Sequence, residues 1–241
     1  MPQAVLFDID GTIIDSVPEH IRTWKSAFKK FGKNVSADAI RPQIGKEADE
    51  LLPVFFSKDE LEQFGDELKE YRDRLFKTKY LPTVKAFPGV RDLFRRLKGD
   101  STLIALASSS KEDELKIYKQ IAQIEDLVDS VTSADDVKRS KPFPDIFQNA
   151  LKELGNPDPY DVIVVGDTRY DAEAAAKANL ETIGLLCGAS TKRELLEAGC
   201  IALYRDPGEL LTKYQNSPLS KTRGNATKMA KRQTLFGFSL L

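Results

Sequence analysis

Cysteine is scarce in this chain: there are two, Cys187 and Cys200, with no CxxC spacing and no partner set for a disulfide framework. A reducing compartment is the plain expectation. No apolar stretch reaches the length of a membrane span, and the N-terminal residues, already acidic by Asp8, lack the basic start of a signal peptide. An excess of charge of either sign is missing too. The formal net charge of −1 gives no whole-molecule pull toward nucleic acid or membranes. No internal repeat occurs. These absences lead to the expectation of a cytoplasmic protein, or a nuclear one if its basic C-terminal end is a targeting or partner motif.

What is present is an ordinary globular composition, 41% hydrophobic and 30% charged over 241 residues, enough for one large domain or a domain with a smaller companion. Short apolar runs alternate with helical patterns. The runs are Val5-Leu6-Phe7, Leu103 to Ala107, Val162 to Val165, Thr182 to Leu186 and Ile201 to Tyr204. Between them the spacing predicts helices over Val90 to Leu97, Asp145 to Leu154 and Thr191 to Ala198, and an alanine-rich one after Asp167. Ser109-Ser-Lys-Glu112 reads as a capping box that starts another, with Leu115, Tyr118 and Ile121 on it. Such alternation implies βα units on a parallel sheet. From Val17 to about Leu81 the pattern is helical only, with a helix from Glu19 to Phe31 and another from a Ser57–Glu60 capping box toward Lys79.

The expected fold is therefore α/β: a Rossmann-like doubly wound parallel sheet (1–16 and 82–215) with an inserted helical cap (17–81). Residues 216–241 carry no acid and five cations, among them Lys228, Lys231 and Arg232, and their polar first half reads as a disordered tail.

In open parallel sheets ligands bind beyond the carboxyl ends of the strands, so the polar residues after each apolar run carry the functional reading. Asp8 and Asp10 follow the first run, and Gly11 lets the chain turn so that both face one cavity. An aspartate can attack phosphorus, and a second acid can give and later take a proton. Alone, the pair reads equally well as solvated turn acids. Ser108 follows the second run and offers a hydroxyl to a phosphate oxygen, although the serines here also suit a helix start. Lys141, in Arg139-Ser-Lys-Pro-Phe-Pro144, lies in an irregular segment where a fixed cation would neutralise a phosphoryl group. Asp167 follows the third run as a hard oxygen ligand for magnesium. Asp171 falls in the first turn of a helix, where a carboxylate is favourable anyway.

Taken in order, Asp8-Ile-Asp-Gly-Thr12, Ser108, Lys141 and Gly166-Asp167 with Asp171 resemble the four motifs of the haloacid dehalogenase superfamily, over Pro2 to about Tyr214. The helical insertion after the first motif resembles the subgroup of phosphoglycolate phosphatases and β-phosphoglucomutases, and Asp15-Ser-Val-Pro-Glu-His20 and Trp24-Lys25 look like the mutase side. The resemblance implies Asp8 as nucleophile and Asp10 as acid/base. It implies Mg²⁺ held by the Asp8 carboxylate, the Asp10 backbone carbonyl and Asp167, with Asp171 in support, and a phosphoryl group held by Ser108 and Lys141.

Substrate contacts are expected from His20 and Lys46 on the cap and from Ser109 and Lys111 beside Ser108. For His20, the only histidine, packing between helix and core is an equal alternative. Thr12 and the GDxxxD form of the last motif resemble the phosphatases. Gln43 to Asp49 lacks the arginine that the mutases carry there, and Lys46 is the only cation in that segment. The reading is a Mg²⁺-dependent phosphatase for a small phosphomonoester, of the phosphoglycolate or sugar-phosphate type, working through an aspartyl-phosphate. The alternatives are a phosphomutase, or a protein that acts through its tail. Residues 228–241 loosely resemble the peptide that docks on a replication sliding clamp, with Gln233 one place too close to Leu235 and Ser239 where a second aromatic is usual. Packing of Phe236 and Phe238 onto the core is the competing reading.

Overall fold

The computed structural model describes residues 1–220, so the clamp-like stretch at 228–241 lies outside the described residues. Strands β1 (Ala4–Phe7) and β2 (Ile14–Asp15) are followed by helices alone: α1 (Val17–Lys30), α2 (Ala37–Ile40), α3 (Ala48–Leu51) and α4 (Lys58–Leu75), joined by short helical turns that run on to Thr83. Alternation then begins with β3 (Lys85–Ala86), α5 (Val90–Gly99), β4 (Leu103–Ala107), α6 (Glu112–Ala122) and β5 (Ser130–Thr132). It continues with α7 (Asp145–Glu153), β6 (Val162–Gly166), α8 (Arg169–Lys177), β7 (Glu181–Leu185), α9 (Lys192–Glu197), β8 (Ala202–Tyr204) and α10 (Pro207–Thr212).

Six strands make one sheet in the order β5-β4-β1-β6-β7-β8, with every neighbouring pair parallel. The order steps outward in both directions from the middle, so the winding reverses between β1 and β6. Such a switch point opens a crevice at the carboxyl ends of the strands. Both faces are covered, which explains why the strands read as unbroken apolar runs. Val5, Phe7, Ile104, Leu106, Ile163 and Val165 share one face with side chains of α5, α6 and α10. Ala4, Leu6, Ala105, Ala107, Val162 and Val164 face the other way, onto Ile146 and Phe147 of α7 and the alanines of α8.

The helical insertion has its own core, in which Trp24, Phe28, Leu51, Phe56 and Leu68 pack together. α4 opens on the expected reciprocal capping box, with Ser57 Oγ accepting from the Glu60 amide at 3.3 Å and Glu60 accepting from the Ser57 amide at 2.7 Å. No helix among the described residues is long and apolar enough to cross a membrane.

Three expectations are corrected. The edge strand β5, Ser-Val-Thr, has no place among the predicted strands because it is short, polar and only partly buried. The capping box at Ser109–Glu112 does not form. α6 starts at Glu112 without a side-chain cap, and the Glu112 amide donates to Asp135 at 3.1 Å instead. The packed chain also continues past Asn216, the expected start of the tail. Asn216 ends a short turn after α10, Ser217 and Leu219 are fully buried, and Leu219 joins the core on the α5 and α10 face. Leu219 is one apolar residue in a polar stretch, and Ser217 Oγ ties the segment back by donating to Tyr214 O at 2.7 Å.

Candidate active site

The site starts where β1 ends. The Asp8 amide continues the ladder by donating to Val165 O at 2.9 Å. The chain then turns at Gly11, which has a left-handed φ of 86°. A side chain there would also collide, since a Cβ on Gly11 would lie 2.5 Å from Asp167 Oδ2. Asp167 follows β6, the neighbour of β1. It is fully buried and accepts hydrogen bonds from Thr12 Oγ1 at 3.0 Å and the Ala189 amide at 2.7 Å. Asp171, in the first turn of α8, accepts from the Thr168 amide at 3.0 Å and Thr168 Oγ1 at 2.6 Å. Its other oxygen faces Lys141. The Lys141 ammonium lies 2.7 Å from Asp171 Oδ1, 2.5 Å from Asp8 Oδ1 and 2.9 Å from Ala107 O. Asp171 thus caps its helix and faces the site at once.

Ligand oxygens of Asp8, Asp167 and Asp171 all lie within 4.8 Å of one another, and all three residues are buried. Three carboxylates around one ammonium leave an excess of negative charge, and buried charge without a partner costs several kcal/mol. The titration behaviour reflects this crowding. Burial, reinforced by the charge of Asp171, pushes Asp8 up to about 7 against the pull of Lys141. Asp167 is raised well above the usual range, by burial first and then by Asp8 and Asp171. Lys141 would be lowered by burial, but Asp171 and Asp8 hold it firmly protonated. An all-oxygen set with surplus negative charge fits a hard divalent cation.

Asp10 is built differently. It accepts from Ser16 Oγ at 2.6 Å, Ser110 Oγ at 2.7 Å and His20 Nε2 at 2.8 Å. Burial raises its carboxyl, but His20 and then the Ser16 and Ser110 hydroxyls outweigh burial and hold it well below the usual carboxylate range. His20 is itself oriented, with Arg72 Nη2 2.8 Å from its Nδ1. A guanidinium only donates, so Nδ1 is the acceptor and the ring presents its Nε2 proton to Asp10. The ring also stacks on Phe76, centroids 4.3 Å apart.

Over these groups lies a cavity of about 410 Å³ between the insertion and the sheet edge. Of the ten residues singled out from sequence, Asp8, Asp10, His20, Lys46, Ser108, Ser109, Lys111, Lys141 and Asp171 line it. Asp167 stands behind them with no exposure. Lys46 is tied to Gln43 Oε1 at 2.8 Å and Lys111 to Asp73 Oδ2 at 3.1 Å. Ser108 Oγ accepts from the Ser110 amide at 3.1 Å.

Several contributors escaped the sequence reading. Arg72 and Asp73 come from the last turn of α4, where charged residues are expected on any solvated helix. Glu47 and Glu114 line the cavity with no motif around them. Gly188 and Ala189, after β7, matter through the absence of a side chain and through a backbone amide. A Cβ on Gly188 would stand 1.7 Å from Asp167 Oδ2, and Asp167, held from both sides, has nowhere to move. Gly188→Ala is expected to lower stability by about 1–3 kcal/mol through overpacking, measured by denaturant unfolding. An unchanged midpoint would show that the loop moves aside.

Comparison with known proteins gives the same picture. The family model for haloacid dehalogenase-like hydrolases matches residues 5–185. A phosphorylated carbohydrates phosphatase of Thermotoga maritima is 32% identical over 214 residues, 87% of this chain and 96% of that one. A phosphoglycolate phosphatase of Nitrosospira multiformis is 28% identical over 207 residues, 83% of this chain and 90% of that one. Among solved structures, a hydrolase from Pseudomonas syringae superposes with a TM-score of 0.77 at 26% identity, covering 89% of this chain and 98% of that one.

Proposed function

Because the chain belongs to the haloacid dehalogenase-like hydrolases, we propose that it is a Mg²⁺-dependent phosphatase that cleaves a small phosphomonoester of the phosphoglycolate or sugar-phosphate type through a phosphorylated Asp8. The observation that carries this reading is the meeting of Asp8, Asp167, Asp171 and Lys141 beneath a cavity that also receives Asp10.

An Asp8 carboxylate oxygen attacks phosphorus, a bond forms between them, and the bond from phosphorus to the ester oxygen breaks. Asp10 gives the leaving oxygen its proton. Water then loses a proton to Asp10, attacks phosphorus and releases inorganic phosphate, which returns Asp8 to its free state. The hydrogen bonds from Ser16, His20 and Ser110 favour the carboxylate of Asp10, the form needed as base, so Asp10 takes up a proton from solvent before it acts as the acid. Lys141 faces the reacting oxygen with a fixed charge that costs no reorganisation during transfer. Ser108 offers its hydroxyl to a phosphoryl oxygen. Asp8, the Asp10 carbonyl and Asp167 would hold Mg²⁺, with Asp171 in support, and the bound ion would add positive charge beside the phosphoryl oxygens.

The test is hydrolysis in water labelled with heavy oxygen, read by mass spectrometry of the phosphate. Label in released inorganic phosphate is the expected result. A phosphoryl group that reappears on the organic product without release would replace this reading with a phosphomutase.

A further inference from the structure

The helical insertion rests on the same segments that hold Asp167 and Asp171. The loop after β7 clasps Asp167. The Ala189 amide donates to its Oδ2 at 2.7 Å, the Ser190 amide donates to its carbonyl at 3.3 Å, and Ser190 Oγ accepts from the Arg169 amide at 3.0 Å. That loop also carries the insertion. The buried Ala189 side chain belongs to the insertion's apolar core with Val17, Ile21 and Trp24, and Arg41 Nη1 donates to Gly188 O at 3.4 Å. The start of α8 is shared in the same way. Thr168 Oγ1 donates to Asp171 at 2.6 Å. Gly45 of the insertion passes so close over Thr168 that a Cβ on it would lie 3.0 Å from Thr168 Cγ2. Tyr170, buried and placed between Asp167 and Asp171 in sequence, donates its hydroxyl to Pro42 O at 2.8 Å and accepts from Arg169 Nη2 at 3.2 Å.

Tyr170 is not among the residues that line the cavity, so its hydroxyl acts on the insertion and not on the substrate. With the insertion seated, each Asp167 oxygen has a donor, Thr12 on Oδ1 and Ala189 on Oδ2. If the insertion lifts, the Ala189 side chain loses its packing and the loop can carry its amide away from Asp167. A ligand group that must be ordered as the ion binds lowers affinity. By linkage, whatever seating does for the ion, the ion does for seating.

We propose that Tyr170 is a positioning residue, with Ala189 as its counterpart on the loop, through which seating of the insertion and binding of the divalent cation favour each other. In the metal-free chain the crowded carboxylates oppose the ordered arrangement, and the insertion exchanges between seated and lifted states. The cation shifts that exchange toward the seated state by its higher affinity for it. This rests on the Mg²⁺ site of the phosphatase reading and adds a link between that site and the insertion.

The experiment follows thermal melts of the full chain through a Mg²⁺ titration and fits an apparent Kd to the rise in melting temperature. Tyr170→Phe keeps the ring and removes only the hydroxyl, and Ala189→Gly keeps the amide and removes the methyl group from the insertion's core. Each is expected to raise the apparent Kd by about three- to tenfold, the worth of one hydrogen bond or one buried methyl group. Leu151→Ala, on α7 against the other face of the sheet, is expected to lower the melting temperature and leave the Kd in place. Mg²⁺ alone should slow hydrogen exchange across residues 41–46 in the wild type, and less so in Tyr170→Phe. With p-nitrophenyl phosphate, kcat at saturating Mg²⁺ and substrate should hold in Tyr170→Phe, the loss being carried by the Mg²⁺ requirement. A Kd unchanged in Tyr170→Phe or Ala189→Gly overturns the proposal, as does an equal rise in Leu151→Ala. In those cases Mg²⁺-dependent hydrolysis by the wild type leaves the phosphatase reading standing. Wild-type melts that ignore Mg²⁺ end the Mg²⁺ site and this link together.

Discussion

Asp8→Asn is expected to lose turnover by more than about 10³-fold, because an amide keeps the shape of the carboxylate and cannot attack phosphorus. The fold should survive. Asp8 is one of three crowded carboxylates, and its removal leaves Lys141 still paired with Asp171 at 2.7 Å. Relief of repulsion offsets the lost ion pair, so a thermal melt without added metal should show no large fall. Initial rates on a panel of small phosphomonoesters provide the check. A variant that keeps near-normal rates would remove Asp8 from the chemistry, whatever the remaining cluster does.

Excess chelator is expected to abolish activity, and Ca²⁺ to restore it poorly, since Ca²⁺ prefers longer bonds and more ligands than Mg²⁺. A thermal melt gives a second readout that needs no substrate. An ion that binds only the folded chain adds about 2.7 kcal/mol at a hundredfold excess over its Kd. Asp167→Asn should therefore act in two directions. It relieves the repulsion that raises Asp167 well above the usual range, which favours the metal-free fold, and it weakens the added stability that Mg²⁺ brings. A Mg²⁺ response that survives this substitution unchanged, or full activity in chelator, would contradict the magnesium assignment.

The sheet was legible because both its faces are buried, and fully buried strands such as Val162–Val165 leave unbroken apolar runs. β5 was not, since an edge strand of Ser-Val-Thr carries no such signal. Asp8, Asp10, Ser108 and Asp167, to which chemistry is assigned in the proposed mechanism, were legible because they follow those runs directly, and the structure gathers Asp8, Asp167 and Asp171 in one buried cluster. Groups that hold or surround them were harder to find. Arg72 reaches His20 from 52 residues away, and a charged residue at the end of a helix looks the same whether or not it does so. Ser110 resembled a helix cap because the hydroxyl that serves Asp10 equally suits a capping role. Gly188 and Ala189 act through a missing side chain and a peptide N–H, neither of which distinguishes them from any other loop. Glu47 and Glu114 line the cavity from two separate segments that come together only in three dimensions.

The alternation of faces along β1 also limits how its length can change. Leu6 and Asp8 belong to one parity and Val5 and Phe7 to the other, and the Asp8 amide is still bonded in the ladder to Val165. An insertion or deletion of one residue within the strand would rotate everything after it to the opposite face. Phe7 or Ile9 would then be presented to Lys141, and the carboxylate would be driven in among the side chains of α5 and α6. Changes of length in this chain should accordingly collect in the helical insertion and its connecting turns, where an added residue alters the cavity's reach and leaves the reacting edge in register.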